Sequence, residues 1–428
     1  MAQFKNHLPK IPIINRYFVT NTLFMALLML FVPAYAQKAA FLTEAQTVEK
    51  VLQQASIQDW IKGTINEAQS DIEEYSHWEN PTLYYLLDNP RLRDQNATEQ
   101  SYMIKQSIDL SGRRKLRQSA AEFRLLSATD ATQSRLALFK AKTRLYFFDV
   151  LYKQLRLQAI STWLQHLVEL EKIIRKRALA GDVPGYDLKR LQREYASAVT
   201  HQQAEQAALH HSWELLNALW GDYDTVDFGS GVSGELLPAA PVALDQLLAA
   251  LEQNPALQSL AKQKSAFNLN SEAAERWKIP KFNLGVGAKT FNATNYSDTA
   301  LLVSIEIPLP LWNQNNAERI RYRAQAQKVD GKYRLEHQKT YGEIRGSWQE
   351  LTGLLQAIQT FEQRGQTVSD ELINIASISY QAGEIGVFEL LDAYRERWAY
   401  DLDRLDLMHK ARTASIELDR LTDTGIIP

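Results

Sequence analysis

Polar and apolar residues alternate along Ser101–Leu110 (SYMIKQSIDL) with the period of two that marks a strand, and the pattern stops at Ser111-Gly112. From Arg113 to Ala180 the chain then holds no glycine and no proline, and Leu, Ala, Arg, Lys, Glu and Gln dominate, all good helix formers. At 1.5 Å per residue, roughly 65 helical residues reach about 100 Å, far beyond an ordinary domain helix. The run breaks at Ala180-Gly-Asp-Val-Pro-Gly-Tyr-Asp-Leu188, and a second helical pattern continues to Leu219. This stretch predicts a strand that feeds a very long helical hairpin.

About 200 residues later the pattern recurs. Thr299–Pro308 (TALLVSIEIP) is strand-like and Pro308-Leu-Pro-Leu-Trp312 ends it; a helical pattern then runs to Ala382. It breaks at Ala382-Gly-Glu-Ile-Gly-Val-Phe-Glu-Leu390, which aligns without a gap on Ala180–Leu188. Ala, Gly, an acid, a β-branched residue, an aromatic, an acid and Leu fall at matching places. The period is too long for a solenoid and reads as a duplicated domain half.

The remaining segments fit between these copies. Residues 37–76 carry Val48, Val51, Leu52, Ile57, Ile61 and Ile65 at helical spacings, and Asn80-Pro81 precedes a short strand over 82–88. Residues 88–100 read as a loop. Glycines and prolines across 221–240 mark a connector, Val242–Gln253 and Pro255–Lys278 read as helices, and 281–290 alternates as a third strand. The expected organisation is a signal peptide at 1–36, a first repeat at 37–240 and a second at 241–428. The first holds strands near 82–88 and 101–110 and a hairpin over 113–220; the second holds strands near 281–290 and 299–308 and a hairpin over 314–422. Gly331, Gly342, Gly346, Gly353 and Gly365 interrupt the second long helix, which predicts bending or close backbone approach there.

Four strands of nine or ten residues have the length that crosses a bilayer when tilted. Tyr84, Tyr85, Tyr102, Phe282, Phe291, Tyr296 and Trp312 lie on their turns and edges, as in interfacial aromatic girdles. Four strands cannot close a barrel, and open edges in lipid leave backbone groups unpaired at several kcal/mol each. Three chains supplying twelve strands resolve that conflict; the alternative is a soluble four-stranded sheet on a helical domain. Along the first hairpin Phe148, Leu151, Leu155, Leu164, Leu167 and Ile174 form a coiled-coil seam that Phe147, Val150 and Leu157 widen, as suits a helix packed on two sides.

Composition adds the compartment. Lys5, Lys10 and Arg16 precede an apolar run over Phe18–Val32, and Ala34-Tyr35-Ala36 supplies small residues for cleavage after Ala36. A transmembrane anchor is the alternative, weakened by the shortness of the run and by Thr20-Asn21-Thr22. Cleavage leaves a net charge of −5, which argues against nucleic acid as a partner. With no cysteine there is no disulfide, thiolate metal site or lipidated cysteine. No nucleophile–base pair, phosphate loop or dinucleotide fingerprint is evident, so no enzyme activity and no cofactor are expected.

Taken together, the duplicated strand–strand–long-helix–helix order, the junctions Gln106–Lys115 and Ile305–Asn313, the Asn254-Pro-Ala-Leu257 helix opening and the two Ala-Gly-acid breaks resemble the TolC-type outer-membrane efflux proteins. The similarity spans about Thr43 to Asp423 and looks most like the branch that serves heavy-metal cation efflux of the resistance–nodulation–division type. It implies a mainly α chain with a small β part, assembled as a homotrimer with a twelve-stranded β-barrel in outer-membrane lipid, four strands per chain. The barrel would continue into a periplasmic tunnel of helices. It further implies a passive exit duct docked to a periplasmic adaptor and an inner-membrane pump. Many members of that branch carry a lipidated N-terminal cysteine; this sequence does not, so that anchor is not carried over.

In the family the hairpin tips form the closed gate and meet the adaptor, which places Gly181, Asp182, Val183 and Asp187, with Gly383, Glu384, Ile385 and Glu389, at that site. Asp182, Asp187, Glu384 and Glu389 in three copies would set twelve carboxylates at one constriction, an arrangement that attracts cations. Against this, Asp187 and Glu389 fall in first helical turns, where an acid complements the helix dipole. His201, His210 and His211 lack a completing carboxylate or thiolate, and the mature chain keeps just Met103 and Met408, so no metal site is expected. An exit duct for exported polypeptides and a soluble periplasmic coiled-coil scaffold are the competing functions.

Overall fold

In the computed structural model, the residues described are 41–89, 91–92, 95–221, 231–294 and 296–422. The expected signal peptide at 1–36 lies outside them. Helices α1 (Glu44–Leu52) and α2 (Ala55–Ser76) lead into β1 (Thr82–Asp88); β2 (Thr98–Ile108) leads into α3 (Arg113–Ala180) and α4 (Gly185–Ala218). A two-residue ribbon, Arg91–Leu92 with Gln95–Asn96, joins the first two strands. The second half repeats the order: α5 (Leu244–Ala250), α6 (Pro255–Glu275), β3 (Phe282–Ala293), β4 (Tyr296–Glu306), α7 (Asn316–Phe361), α8 (Thr367–Ala382) and α9 (Val387–Thr422). The fold class is the expected one, mainly helical with a four-stranded antiparallel sheet.

The sheet runs β1-β2-β3-β4, so its central pair joins the two halves, from Thr98 opposite Asn292 to Ile108 opposite Phe282. β1 and β4 are its free edges. At the lower end of the sheet α3 starts directly after Gly112, whose φ of 73° suits glycine. The 68 residues of α3 make it the spine of the molecule. α6 opens on Asn254, whose Oδ1 accepts from the backbone N–H of Ala256 at 2.9 Å while its Nδ2 donates to the Leu421 carbonyl at 2.9 Å. That cap satisfies orphan donors of the first turn and ties α6 to the end of α9.

Two apolar cores lie along this spine. The larger collects Phe147, Phe148, Val150 and Leu151 of α3 with Trp213 and Leu216 of α4, Ile344 and Leu351 of α7, and Ile416 and Leu418 of α9. Phe147 and Val150 belong inside with Phe148 and Leu151, so the face is broader than a two-helix seam. The second core sits toward the hairpin tips and is described below.

The second long helix is not continuous. Glu362–Gln366 forms a π-helical turn between α7 and α8. Gly365 lies there, against the Tyr400 ring that stacks on Phe361 with centroids 4.3 Å apart; a Cβ at this place would collide with Tyr400. Close approach is therefore real at Gly365. Around Gly331, Gly342, Gly346 and Gly353 a Cβ would meet nothing within 4 Å.

Candidate functional site

Strand alternation and register give the sheet two unlike faces. One carries Leu83 and Tyr85, Tyr102 and Ile104, Leu284 and Val286, Leu301, Val303 and Ile305, in register across all four strands. All of these are exposed, Leu284 the least at 38%. The opposite face carries Ser101, Met103, Lys105, Gly285, Gly287, Lys289, Ser304 and Glu306. It is the more crowded side: Met103 is buried, and a Cβ on Gly287 would run into the backbone of Tyr102 and Met103. Ion pairs cross it, Lys105 to Glu306 at 3.5 Å and Lys289 to Glu99.

Tyr84 belongs to this polar face, with the Lys105 ammonium 4.4 Å from its ring centroid, and so does not share a face with Tyr85 and Tyr102 as a single aromatic girdle would require. Tyr85 and Tyr102 do pair on the apolar face, 5.0 Å apart. An apolar face, a polar face and two unpaired edges are the features that a segment of a barrel wall would have. Among the described residues no helix is long and apolar enough to cross a membrane.

At the far end of the helices the two breaks adopt the same geometry. Gly181 and Gly383 are left-handed, φ 83° and 79°. At the first, the N–H groups of Gly181 and Asp182 donate to the Ala178 and Arg177 carbonyls; at the second, those of Gly383 and Glu384 donate to Tyr380 and Ser379. Each is a helix ending that closes on its own last turn, where glycine carries no Cβ penalty. Asp182 and Glu384 project exposed from these turns.

Beneath the turns a shared apolar core gathers Leu170, Ile174 and Leu191 of the first hairpin with Tyr380, Val387, Leu390 and Leu391 of the second, and Val183, Leu188 and Ile385 pack against it. The Arg177 guanidinium lies 5.0 Å from the Tyr380 ring, and that of Arg190 lies 3.9 Å from the Phe388 ring. The two tips thus end together, as one unit. Glu389 turns back so that its Oε2 accepts the Gly386 N–H at 3.1 Å, and Asp187 lies in the first turn of α4, as a helix-starting acid does.

Polar ties between hairpins that sequence spacing does not reveal lie midway along the helices. Arg156 of α3 donates to Asp406 of α9 at 2.8 Å and to Glu205 of α4 at 2.8 Å, and Tyr152 donates to Asp406 at 2.5 Å. Burial and the Asp406 carboxylate push the Tyr152 phenol up to about 12. His409 stacks on Tyr152 at 4.3 Å with its Nε2 3.8 Å from Asp149, and burial holds its pKa below the ordinary imidazole value. His201 lies beside the Trp398 ring, 5.8 Å between centroids. Among the described residues no three His, Cys, Asp or Glu side chains gather as a metal site would require.

Comparison with known proteins agrees with this geometry. Residues 247–424 match the family described as outer membrane efflux protein. The chain is similar to the cobalt-zinc-cadmium resistance protein CzcC of Cupriavidus metallidurans, 22% identical over 346 residues that cover 80% of each chain. In fold it is similar to CusC, whose structures concern folding and transmembrane channel formation, with a TM-score of 0.70, 19% identity and coverage of 91% of this chain and 95% of that one. The outer-membrane channel OprN matches with a TM-score of 0.73 and 16% identity, over 90% of this chain and 91% of that one.

Proposed function

We propose that this protein is the outer-membrane exit duct of a three-part efflux system. The observation that carries the reading is the sheet: apolar on one face, polar on the other, open at β1 and β4, and followed by the long helices α3 and α7. Pairing β4 of one copy with β1 of the next removes every free edge, and three copies close a twelve-stranded barrel. The helices then continue it as a periplasmic tunnel that narrows at the hairpin tips.

The duct conducts passively, receiving its cargo from a periplasmic adaptor and an inner-membrane pump of the resistance–nodulation–division type. Heavy-metal cations are the cargo we infer, on the similarity to a cobalt-zinc-cadmium resistance protein. The acids Asp182 and Glu384 point from the tips, where three copies would form two rings that favour cations. Gly181, Val183, Gly383 and Ile385 set the shape of those turns. Asp187 and Glu389 serve mainly to start α4 and α9.

The test is a strain lacking the gene, complemented with it or with a copy carrying Asp182→Ala and Glu384→Ala. Cell-associated zinc, cobalt and cadmium should rise on deletion and fall on complementation. Unchanged metal content with altered tolerance to organic toxicants would support the duct and remove the metal cargo.

A further inference from the structure

We infer that the π-helical turn Glu362–Gln366 is a hinge of the second hairpin, and that Tyr400, packed against Gly365, is the latch that holds it. This rests on the reading of the hairpin tips as the narrow end of the duct, and says where along each chain their spacing is set. Among the described residues this is the one π-helical turn, and it interrupts only one of two antiparallel helices. The partner helix α9 runs from Val387 to Thr422 without a break.

Three side chains of α9 hold the turn. The Tyr400 ring stacks on Phe361 with 10° between the planes, and its hydroxyl donates to the Phe361 carbonyl at 3.2 Å. Arg404 donates to Glu362, the first residue of the turn, at 2.7 Å, and Arg397 pairs with Asp370 just below it. Gly365 leaves open the space that the ring fills. A π-turn inside an α-helix gives up regular bonding, and such turns recur at kinks and functional sites. Here the opposite helix supplies what the backbone of the turn lacks.

Two helices packed about 8–10 Å apart cannot bend in their common plane unless one gains length on the other. One residue of helical rise, about 1.5 Å, set across that spacing corresponds to a bend of about 10°. A turn that widens or tightens by one residue supplies that difference. Below it α8 has 16 residues, about 24 Å, so the bend moves the tip by about 4 Å. The first hairpin is built the other way. Continuing the gapless match of Ala180 with Ala382 sets Trp163 at the level of Gly365 and Ala198 at that of Tyr400. Both Trp163 and Ala198 are buried, and α3 stays helical through this level. There the large side chain sits on the long helix and the small one on the return helix, with no turn inserted. The hinge is thus a property of the second hairpin.

The test compares the parent with Tyr400→Ala, Tyr400→Phe, Gly365→Ala and the double variant Gly365→Ala with Tyr400→Ala. Each is purified in mild detergent for amide hydrogen exchange and inserted into planar bilayers for conductance. Tyr400→Ala should raise the conductance of the closed channel about twofold or more. It should also speed exchange about tenfold across residues 362–382, and leave 320–355 and 405–420 as in the parent. Tyr400→Phe keeps the ring and should stay close to the parent on both readouts. Gly365→Ala displaces the ring and should act as Tyr400→Ala does, and the double variant should add little, because both changes act through one contact. Faster exchange spread evenly along α7 and α9 would overturn the latch by showing a general loss of packing. Faster exchange confined to the turn with unchanged conductance would overturn the hinge, since the turn would then not set the tips. A parent that forms no pore would overturn the duct reading and the hinge with it, while the exchange pattern would still report whether Tyr400 holds the turn.

Discussion

Arg395 of α9 reaches Glu194 of α4 with Nη2 3.0 Å from Oε2, joining the second hairpin to the first close to their tips. The same guanidinium also lies 3.4 Å from Asp392. Both partners are partly exposed, so the pair contributes little to global stability, on the order of 1 kcal/mol or less. Its place matters more than its strength. Arg395→Ala should leave the unfolding midpoint nearly unchanged and raise the conductance of the closed channel in planar bilayers. Equal conductance for the variant and the parent would show that this tie does not hold the tips together.

The hairpin turns themselves are the next target. Gly181 and Gly383 have open space around a hypothetical Cβ, so replacing either by Ala costs only the backbone strain of the left-handed conformation, about 1 kcal/mol. Asn, which tolerates that conformation, should cost less. Hydrogen exchange of the tip amides reads the effect, with faster exchange expected for Ala than for Asn at the same position.

Acids at the tips separate by role. Asp182→Ala and Glu384→Ala should reduce cation preference in single-channel recordings without loss of stability. Glu389→Ala removes an acceptor from the Gly386 N–H and should destabilise the start of α9 by about 1 kcal/mol, with a smaller effect on ion preference. Identical selectivity in all three variants would remove the tip acids from any gating role.

Much of this architecture is readable in the sequence, for identifiable reasons. The matched breaks at Ala180–Leu188 and Ala382–Leu390 become two turns of the same hydrogen-bonding pattern, because glycine after a long helix is a strong local signal. Asn254-Pro255 likewise announces a helix start and makes one. Long-range pairing is silent in sequence. Nothing in β2 or β3 says that Thr98 will face Asn292, and the Arg156–Asp406 contact joins residues 250 apart. Polar residues inside a helical wall look like solvated ones until the neighbouring helix is in place. Gly365 was visible as an interruption, but the π-helical turn depends on the Tyr400 ring that fills the space beside it.

His409 gives the helical wall a pH dependence. Burial lowers its pKa in the folded chain below the unfolded value of about 6.5, so the unfolded chain binds the proton first. The wall is therefore unaffected above that pH and loses stability as pH falls below it, until the folded imidazole also protonates. Asp149 opposes the shift, while Lys153 reinforces it. His409→Gln should flatten the stability profile below about pH 6.5 in denaturant unfolding. An unaltered profile would place the acid sensitivity elsewhere.

A larger loss is expected from the core. Phe147 is fully buried and stacks edge-on against Phe148 with centroids 5.2 Å apart. Phe147→Ala should cost about 3–5 kcal/mol through lost burial and a residual cavity. A drop in the yield of membrane-assembled protein, together with a lower unfolding midpoint, is the expected result.

The central claim is that four strands per chain close a barrel only in company. The mass of the protein purified in mild detergent, followed by conductance after insertion into a planar bilayer, tests it most directly. The account predicts a stable trimer that forms pores. A monodisperse monomer that stays in water without detergent and opens no pore would mean that the sheet is an ordinary soluble one, and would contradict the duct.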